Sequence, residues 1–489
     1  MGDLVRAMAR TSEALAFGRQ EFGHTELGDR RRTRALVALA AGLARNPGGR
    51  ISQVFRTLAL RERAYRFVEN AAVRASALVL AVAQAAAARI SALPMAYVVV
   101  DGSSLSLADP RGRKDFGQVG NHQRGARGLK VITAYAVSLA GVPLGVLWQT
   151  YWARFKRTRR ARKSTDNRCR KVEAKETQRW LDVIEEAAGQ VVPGKLWFLV
   201  DREGDSRVVL QKLASLGARF TVRSSWNRVL VAGRGGRCRY LRSVMAKAPV
   251  IASYTVEVPG GFARRARVAR MRVRATRVRL LLRDGWSKAT AELELNVAWA
   301  VEVGTTPHGE KPLDWMLLTN APVSTAEEAL AVVRSYQVRW RIEDFHKTWK
   351  SGRCNVEDTQ LHSMHAATIF AVMHAAVAAR AERLKHLGRT TPDLSAATEL
   401  TPAEREAVAV LAYDWANQPL APGGRRQSKL VAPDPDTMTL GEAVAWIARL
   451  GGYIGKSSGG PPGAIVIGRG LEDVLVAARV LAAAKRSAK

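Results

Sequence analysis

A chain of 489 residues, 47% of them apolar, is too long for one typical domain and too rich in core-forming residues for disorder to be its default state. Lys and Arg total 77 against 43 Asp and Glu, a formal charge of +34 spread along most of the chain, which points to a polyanionic partner. The isolated Cys169, Cys238 and Cys354 exclude a disulfide scaffold or thiolate zinc site, and no run reaches the roughly 18 uninterrupted apolar residues of a membrane span. A soluble, cytoplasmic protein with no membrane partner is therefore expected.

Residues 21–70 read as helices, with Arg30, Arg31, Arg32 and Arg34 opening an apolar-periodic run through Leu36, Leu39 and Leu43. A Val/Ala/Leu-rich helix over 75–92 follows, then a short apolar strand over 96–100 that ends on Asp101-Gly102-Ser103. Strands over 131–139 and 142–148 flank the Gly141 turn as a hairpin, and the basic stretch 154–171 reads as a loop or exposed helix start. A helix near 176–189 leads into a second apolar strand, 196–200, which also ends on acid: Asp201-Arg202-Glu203.

Between 220 and 320 the period is mostly two, Met271, Val273 and Ala275 alternating with Arg270, Arg272 and Arg274, which predicts a β-rich insertion with one basic face. Residues 325–352 and 366–384 are helical text. Thr401-Pro402-Ala403-Glu404 has the form of a capping box before a helix over 403–416. The segments 417–437 and 456–463 read as loops, and the last helix covers 471–484. His362, His365 and His374 read as incidental histidines of a hydrophobic helix, since no thiol or acid completes a zinc-like set.

Asp101 and Asp201 each close an apolar strand, where an open α/β sheet forms its crevice, and adjacent parallel strands would bring them together. Either one alone is an ordinary strand-terminal acid. The third acid lies in YQVRWRIEDFHKTWK, where Tyr336, Arg339, Glu343 and Lys350 fall within roughly 60° of arc on a continuous helix, with Lys347 and Trp340 close to the stripe. Two-metal phosphoryl transfer needs several carboxylates around the scissile phosphate. Asp101, Asp201 and Glu343 would hold the metals, Arg339, Lys347 and Lys350 would face phosphates, and Tyr336 would offer a hydroxyl.

The pattern Tyr-x2-Arg-x3-Glu-x6-Lys at Tyr336, Arg339, Glu343 and Lys350, with Asp201-Arg202-Glu203 and Asp101-Gly-Ser-Ser-Leu, resembles the DDE transposases of the insertion-sequence-four group, in particular those of the transposon-five type. Gly102 departs from the Thr expected there. The likeness extends to Leu27-Gly28-Asp29, Ala64-Tyr65-Arg66-Phe67, Pro312-Leu313-x-Trp315 and Arg449-Leu450-Gly451-Gly452.

This resemblance implies an α/β fold with a ribonuclease-H-like catalytic core over 73–385, interrupted by the β insertion at about 222–325. A helical DNA-end-binding domain over 1–72 and a helical dimerisation domain over 386–489 would flank it. It further implies two divalent ions, Mg2+ with Mn2+ as substitute, and double-stranded DNA as partner, both transposon ends and target, held by a homodimer. The reaction would run through a nick, a hairpin, hairpin opening and joining. Trp315 and Arg223 would receive a flipped base, and Arg31, Arg32 and Arg66 would contact end DNA. A non-catalytic end-binding derivative and a metal nuclease without joining activity are the alternative readings.

Overall fold

The computed structural model describes residues 15–120, 125–154, 175–232, 239–261, 264–284, 287–417, 431–455 and 460–487. Most of the basic stretch 154–171, part of the loop 417–437, Cys169 and Cys238 lie outside them.

A twelve-stranded mixed sheet forms the centre. Its core consists of β1 (Ala96–Ser106), β3 (Arg127–Ser138) and β4 (Pro143–Trp152) as an antiparallel meander, continued by β5 (Leu196–Val200) and β6 (Arg219–Arg223) in parallel with β1. The short β2 (Gly117–Gln118) pairs with β3. The insertion adds β7 (Val229–Leu230), β8 (Arg239–Tyr240), β9 (Val250–Val258), β10 (Arg267–Arg283), β11 (Thr290–Val303) and β12 (Asp314–Thr319). It joins the same sheet through antiparallel pairing of β12 with β6, Leu317 opposite Arg223.

Side chains on a strand alternate between faces, so each strand feeds two cores. Tyr97 and Val99 of β1 face one apolar cluster with Trp197 and Leu199 of β5, whereas Val98, Val100, Phe198 and Val200 face the other.

The first cluster runs from Phe17 to Ala379. It joins α1 (Ala16–Phe22), α2 (Arg30–Arg45), α3 (Ile51–Val54) and α4 (Leu58–Val68) to the sheet and to α5 (Ala75–Ser91), with no break in packing near residue 72. The second covers the other face with part of α5, α6 (Thr177–Gly189), α7 (Arg207–Ser215) and α8 (Leu241–Lys247). The hairpin turns at Gly141, whose φ of 82° suits glycine.

Two helices, α9 (Ala326–Val338) and α10 (Arg341–Lys350), lead to the long α11 (Met364–Thr390). By composition alone α11 could cross a membrane, yet 83% of its most apolar window is buried inside the protein, where Ile369, Phe370 and Val372 fill the first cluster. A third cluster is built by α12 (Pro402–Asn417), α13 (Leu440–Leu450) and α14 (Ala464–Ser487), with Leu384 and Leu387 from the end of α11. Thr401 and Glu404 close the capping box, each side chain bonding the other's backbone N–H. The last helix starts at Ala464, seven residues earlier than its apolar text indicates.

Three expectations change. Strand β1 does not stop before Asp101; pairing with β5 ends at Val100, but antiparallel pairing with β3 continues to Ser106. The helical signature is not continuous. It breaks at Arg339–Trp340, where Arg339 N–H donates to Tyr336 O at 3.1 Å and Trp340 N–H to Gln337 O at 3.3 Å, a tightened turn without Pro or Gly. Nor is there one basic face on β10. Its seventeen residues outrun both cores, so Arg270 and Arg272 are exposed on one face and Arg277, Arg279 and Arg283 on the other.

Candidate active site

Parallel register delivers the first two acids. Val100 lies opposite Val200, so Asp101, still within β1, and Asp201, just past the end of β5, stand side by side. Both continue the odd-numbered row of Tyr97, Val99, Trp197 and Leu199, which turns them toward the layer holding α9 and α10. The loop after β5 is firmly held: Asp201 Oδ1 accepts from Glu203 N–H at 2.8 Å. Buried Asp205 accepts from Ser225 N–H at 2.7 Å and pairs with Arg228. A Cβ at Gly102 would meet Glu203 and Trp180 at 3.4 Å, so the backbone there does not itself demand glycine.

The third acid arrives on α10. Arg339, in the broken turn, places Nη2 at 2.5 Å from Glu343 Oε1 and Nη1 at 3.7 Å from Asp101 Oδ2, so one guanidinium spans the strand acid and the helix acid. The guanidinium also lies 5.8 Å from the ring centre of Tyr336. Lys350, at the far end of α10, sits 3.5 Å from both Ser103 Oγ and Glu357 Oε1. Lys347 is exposed.

Burial and the neighbouring Asp201 push Asp101 up to about 7, against the opposing pull of Arg339. Adjacent carboxylates whose charges resist one another, with a side-chain cation drawn between two of the three, form an oxygen-donor set suited to hard divalent cations. Asp101, Asp201 and Glu343 are the residues that would hold them. Among the described residues the group whose ligand atoms all lie within 4.8 Å is elsewhere, at Asp344, Glu382 and His386. The triad is more open, its Glu343 engaged by Arg339.

Beside the triad, Trp315 and Tyr336 rings approach to 6.0 Å, and the Arg223 guanidinium lies 5.8 Å from the Tyr336 ring while donating to Asp314 O at 2.9 Å. The parity of β6 and β12 puts Arg223 and Trp315 on the face shared by Asp101 and Asp201. The N-terminal arginines lie apart from this group in helices α2 and α4. Arg31 is exposed and pairs with Asp29, Arg66 is exposed and pairs with Glu62, and Arg32 is tied to Leu27 O at 2.8 Å.

Glu357 was not singled out by sequence pattern. It accepts from Ser106 N–H at 2.8 Å and faces Lys350, from a 3-10 turn (Val356–Asp358) entered through left-handed Asn355. The left-handed turn at Asn355 is the local feature that carries Glu357 there. His362, His365 and His374 do not converge among the described residues: His374 is buried against Phe370 O and Gly48 O, and His365 faces Asn70 O.

Two family models match this chain. Transposase DNA-binding covers residues 15–73, the basic helices α1 to α4, and Transposase DDE domain covers residues 150–379, including Asp201, Glu343 and the whole β insertion, with Asp101 ahead of the matched segment. A DNA-binding module joined to a DDE domain defines a DNA-processing enzyme whose domain type implies divalent metal use. The chain belongs to the DDE transposases.

Proposed function

We propose that this protein is a cut-and-paste DNA transposase of the insertion-sequence-four group, with a ribonuclease-H-like core formed by the β1, β3, β4 meander and the parallel pair β5, β6. It binds inverted-repeat ends, cleaves them and joins them to target DNA. The observation that carries this reading is the meeting of Asp101, Asp201 and Glu343 from two adjacent parallel strands and one helix, with Arg339 lodged among them.

In this reading Asp101, Asp201 and Glu343 would hold two Mg2+ ions, for which Mn2+ would substitute. When bound, the ions supply Lewis-acid activation of the attacking hydroxyl and neutralise charge on the scissile phosphate. Arg339, Lys347 and Lys350 offer cationic hydrogen bonds to phosphate oxygens, and Tyr336 adds its hydroxyl.

Cleavage begins with water adding to phosphorus as the 3′-oxygen leaves. The freed 3′-hydroxyl then attacks a phosphodiester of the opposite strand and displaces the flanking DNA's 3′-oxygen to close a hairpin; a second water adds to the hairpin phosphorus and releases the 3′-hydroxyl again, which finally attacks a target phosphodiester and displaces a target 3′-oxygen. Hairpin closure bends the end sharply. Trp315 and Tyr336, with Arg223 over the ring, form the stacking site for a base turned out of the duplex. Arg31, Arg32 and Arg66 contact the end from α2 and α4, and the helices α12 to α14 join two copies in the synaptic complex.

Glu343→Gln tests the assignment on end DNA with Mg2+. Cleavage should vanish while end binding persists; retained cleavage refutes it. Precut ends given to the native protein should yield joined product, and a nuclease without joining activity would give none.

A further inference from the structure

A second cation–carboxylate group occupies another flank of the signature helix. Asp344 follows Glu343 by one residue, about 100° around α10. Its Oδ2 lies 3.2 Å from Nζ of Lys385 on α11. The same ammonium pairs with Glu382, whose Oε1 accepts from Thr348 Oγ1 at 2.5 Å, so Asp344 and Thr348, one turn apart on α10, are both tied to one turn of α11. Thr348, Glu382 and Lys385 are all buried. The ligand atoms of Asp344, Glu382 and His386 stand close enough to hold a metal. Lys385 already occupies both carboxylates, however, and Arg341 and Arg389 add further positive charge.

Helix α10 needs such a restraint at its start. It begins at the broken turn with no side-chain cap on Trp340, and Glu343 sits in that first turn. Ile342, Phe345 and Trp349 anchor it by apolar packing, which resists withdrawal but has little directionality, and the Trp349 indole adds a bond to Ala371 O at 3.0 Å only at the far end of the helix. Arg341 Nε also donates to Gly141 O at 3.1 Å, and the Asp344–Lys385 pair is the charged contact that ties α10 to α11 next to Glu343.

We propose that Lys385 is a positioning residue: by holding Asp344 it fixes the rotation of α10 and so the direction in which Glu343 is presented to Asp101 and Asp201. The inference rests on the reading of Glu343 as a metal-holding carboxylate.

The test compares Lys385→Met, Asp344→Asn, their double variant and Glu343→Gln in the full chain bound to end DNA. Mn2+ binding is followed by paramagnetic resonance, with cleavage rate and thermal melting in parallel. Lys385→Met and Asp344→Asn should each weaken Mn2+ binding about tenfold, as loss of an orienting partner does. Each should slow cleavage about tenfold to a hundredfold at saturating metal, with end binding unchanged. The double variant should be no worse than the more severe single, because both changes remove one interaction.

Variants that melt lower yet bind Mn2+ and cut normally per folded molecule would overturn the inference, leaving Lys385 a structural residue only. If Lys385→Met does not fold, Asp344→Asn, which keeps shape and an acceptor oxygen, carries the same test. The failures separate cleanly. Active Glu343→Gln overturns the underlying reading, whereas inactive Glu343→Gln beside fully active Asp344→Asn overturns the positioning role alone.

Discussion

Arg339 and Lys385 each bridge two carboxylates next to the same helix, one above the carboxyl end of the β1–β5 parallel pairing and one inside the protein. The guanidinium lies over Tyr336 and beside half-buried Asp101 and Glu343, where a divalent cation or a phosphate has access to its partners. The ammonium has no such competitor: Glu382 and Thr348 are sealed by α10 and α11, and the nearby His386 is held neutral, burial pushing it down to about 3. Similar chemistry therefore serves opposite ends. A cation above the strand ends can be exchanged during function, while a buried one locks geometry in place.

The sharpest way to break this contrast is to remove each cation and add metal. Lys385→Met should cost about 3 kcal/mol in urea unfolding, because it strands the buried Glu382 carboxylate. Mg2+ should restore none of that loss. Arg339→Ala should cost about 1–2 kcal/mol, since its partners retain access to water. Millimolar Mg2+ should recover most of the loss by binding the acids that Arg339 leaves. Equal rescue of both variants would erase the distinction.

A further effect comes from pH. Burial, then Lys350 and Arg339, push His346 down to about 3. The unfolded imidazole takes a proton near pH 6.5 and the folded one does not, so its stability contribution is full above 6.5 and declines as pH falls toward 3. The slope is at most about 1.4 kcal/mol per pH unit. Denaturation midpoints between pH 6.5 and 4.5 should show it, and His346→Phe should lower the slope by the share of one imidazole, buried His374 and His386 keeping theirs. The smallest expected change is Arg66→Ala: the exposed pair with Glu62 contributes no more than about 0.5 kcal/mol. End affinity should instead fall, with a salt dependence shallower by about one phosphate contact.

The neighbourhood of Asp101 and Asp201 was legible because an acid closing an apolar run marks where a strand leaves the core, and the pairing of those strands had to be supplied. Glu343 was legible through its neighbours at helical spacing. The break at Arg339–Trp340 was not, since neither residue disfavours helix; the turn is set by what surrounds it, Asp101 on one side and Tyr336 on the other. Lys385 was hidden for a related reason. A lysine near the end of an apolar helix reads as a solvated cation, and its burial depends on Asp344, forty-one residues away. The two faces of β10 were missed because strict alternation was taken to imply one buried side, whereas the strand is long enough to cross from one core to the other.

The register of β5 against β1 has a consequence for how this protein can change. Slipping β5 by one residue would turn Asp201 to the opposite side of the sheet, away from Glu343. Inserted or deleted residues within either strand are therefore intolerable, yet about a hundred residues hang between Arg223 and Ala326 without disturbing that alignment. The core behaves as a fixed ruler, and length varies only beyond its last graduation. The insertion still rejoins it where Leu317 meets Arg223, so novelty acquired there is delivered within reach of the acids.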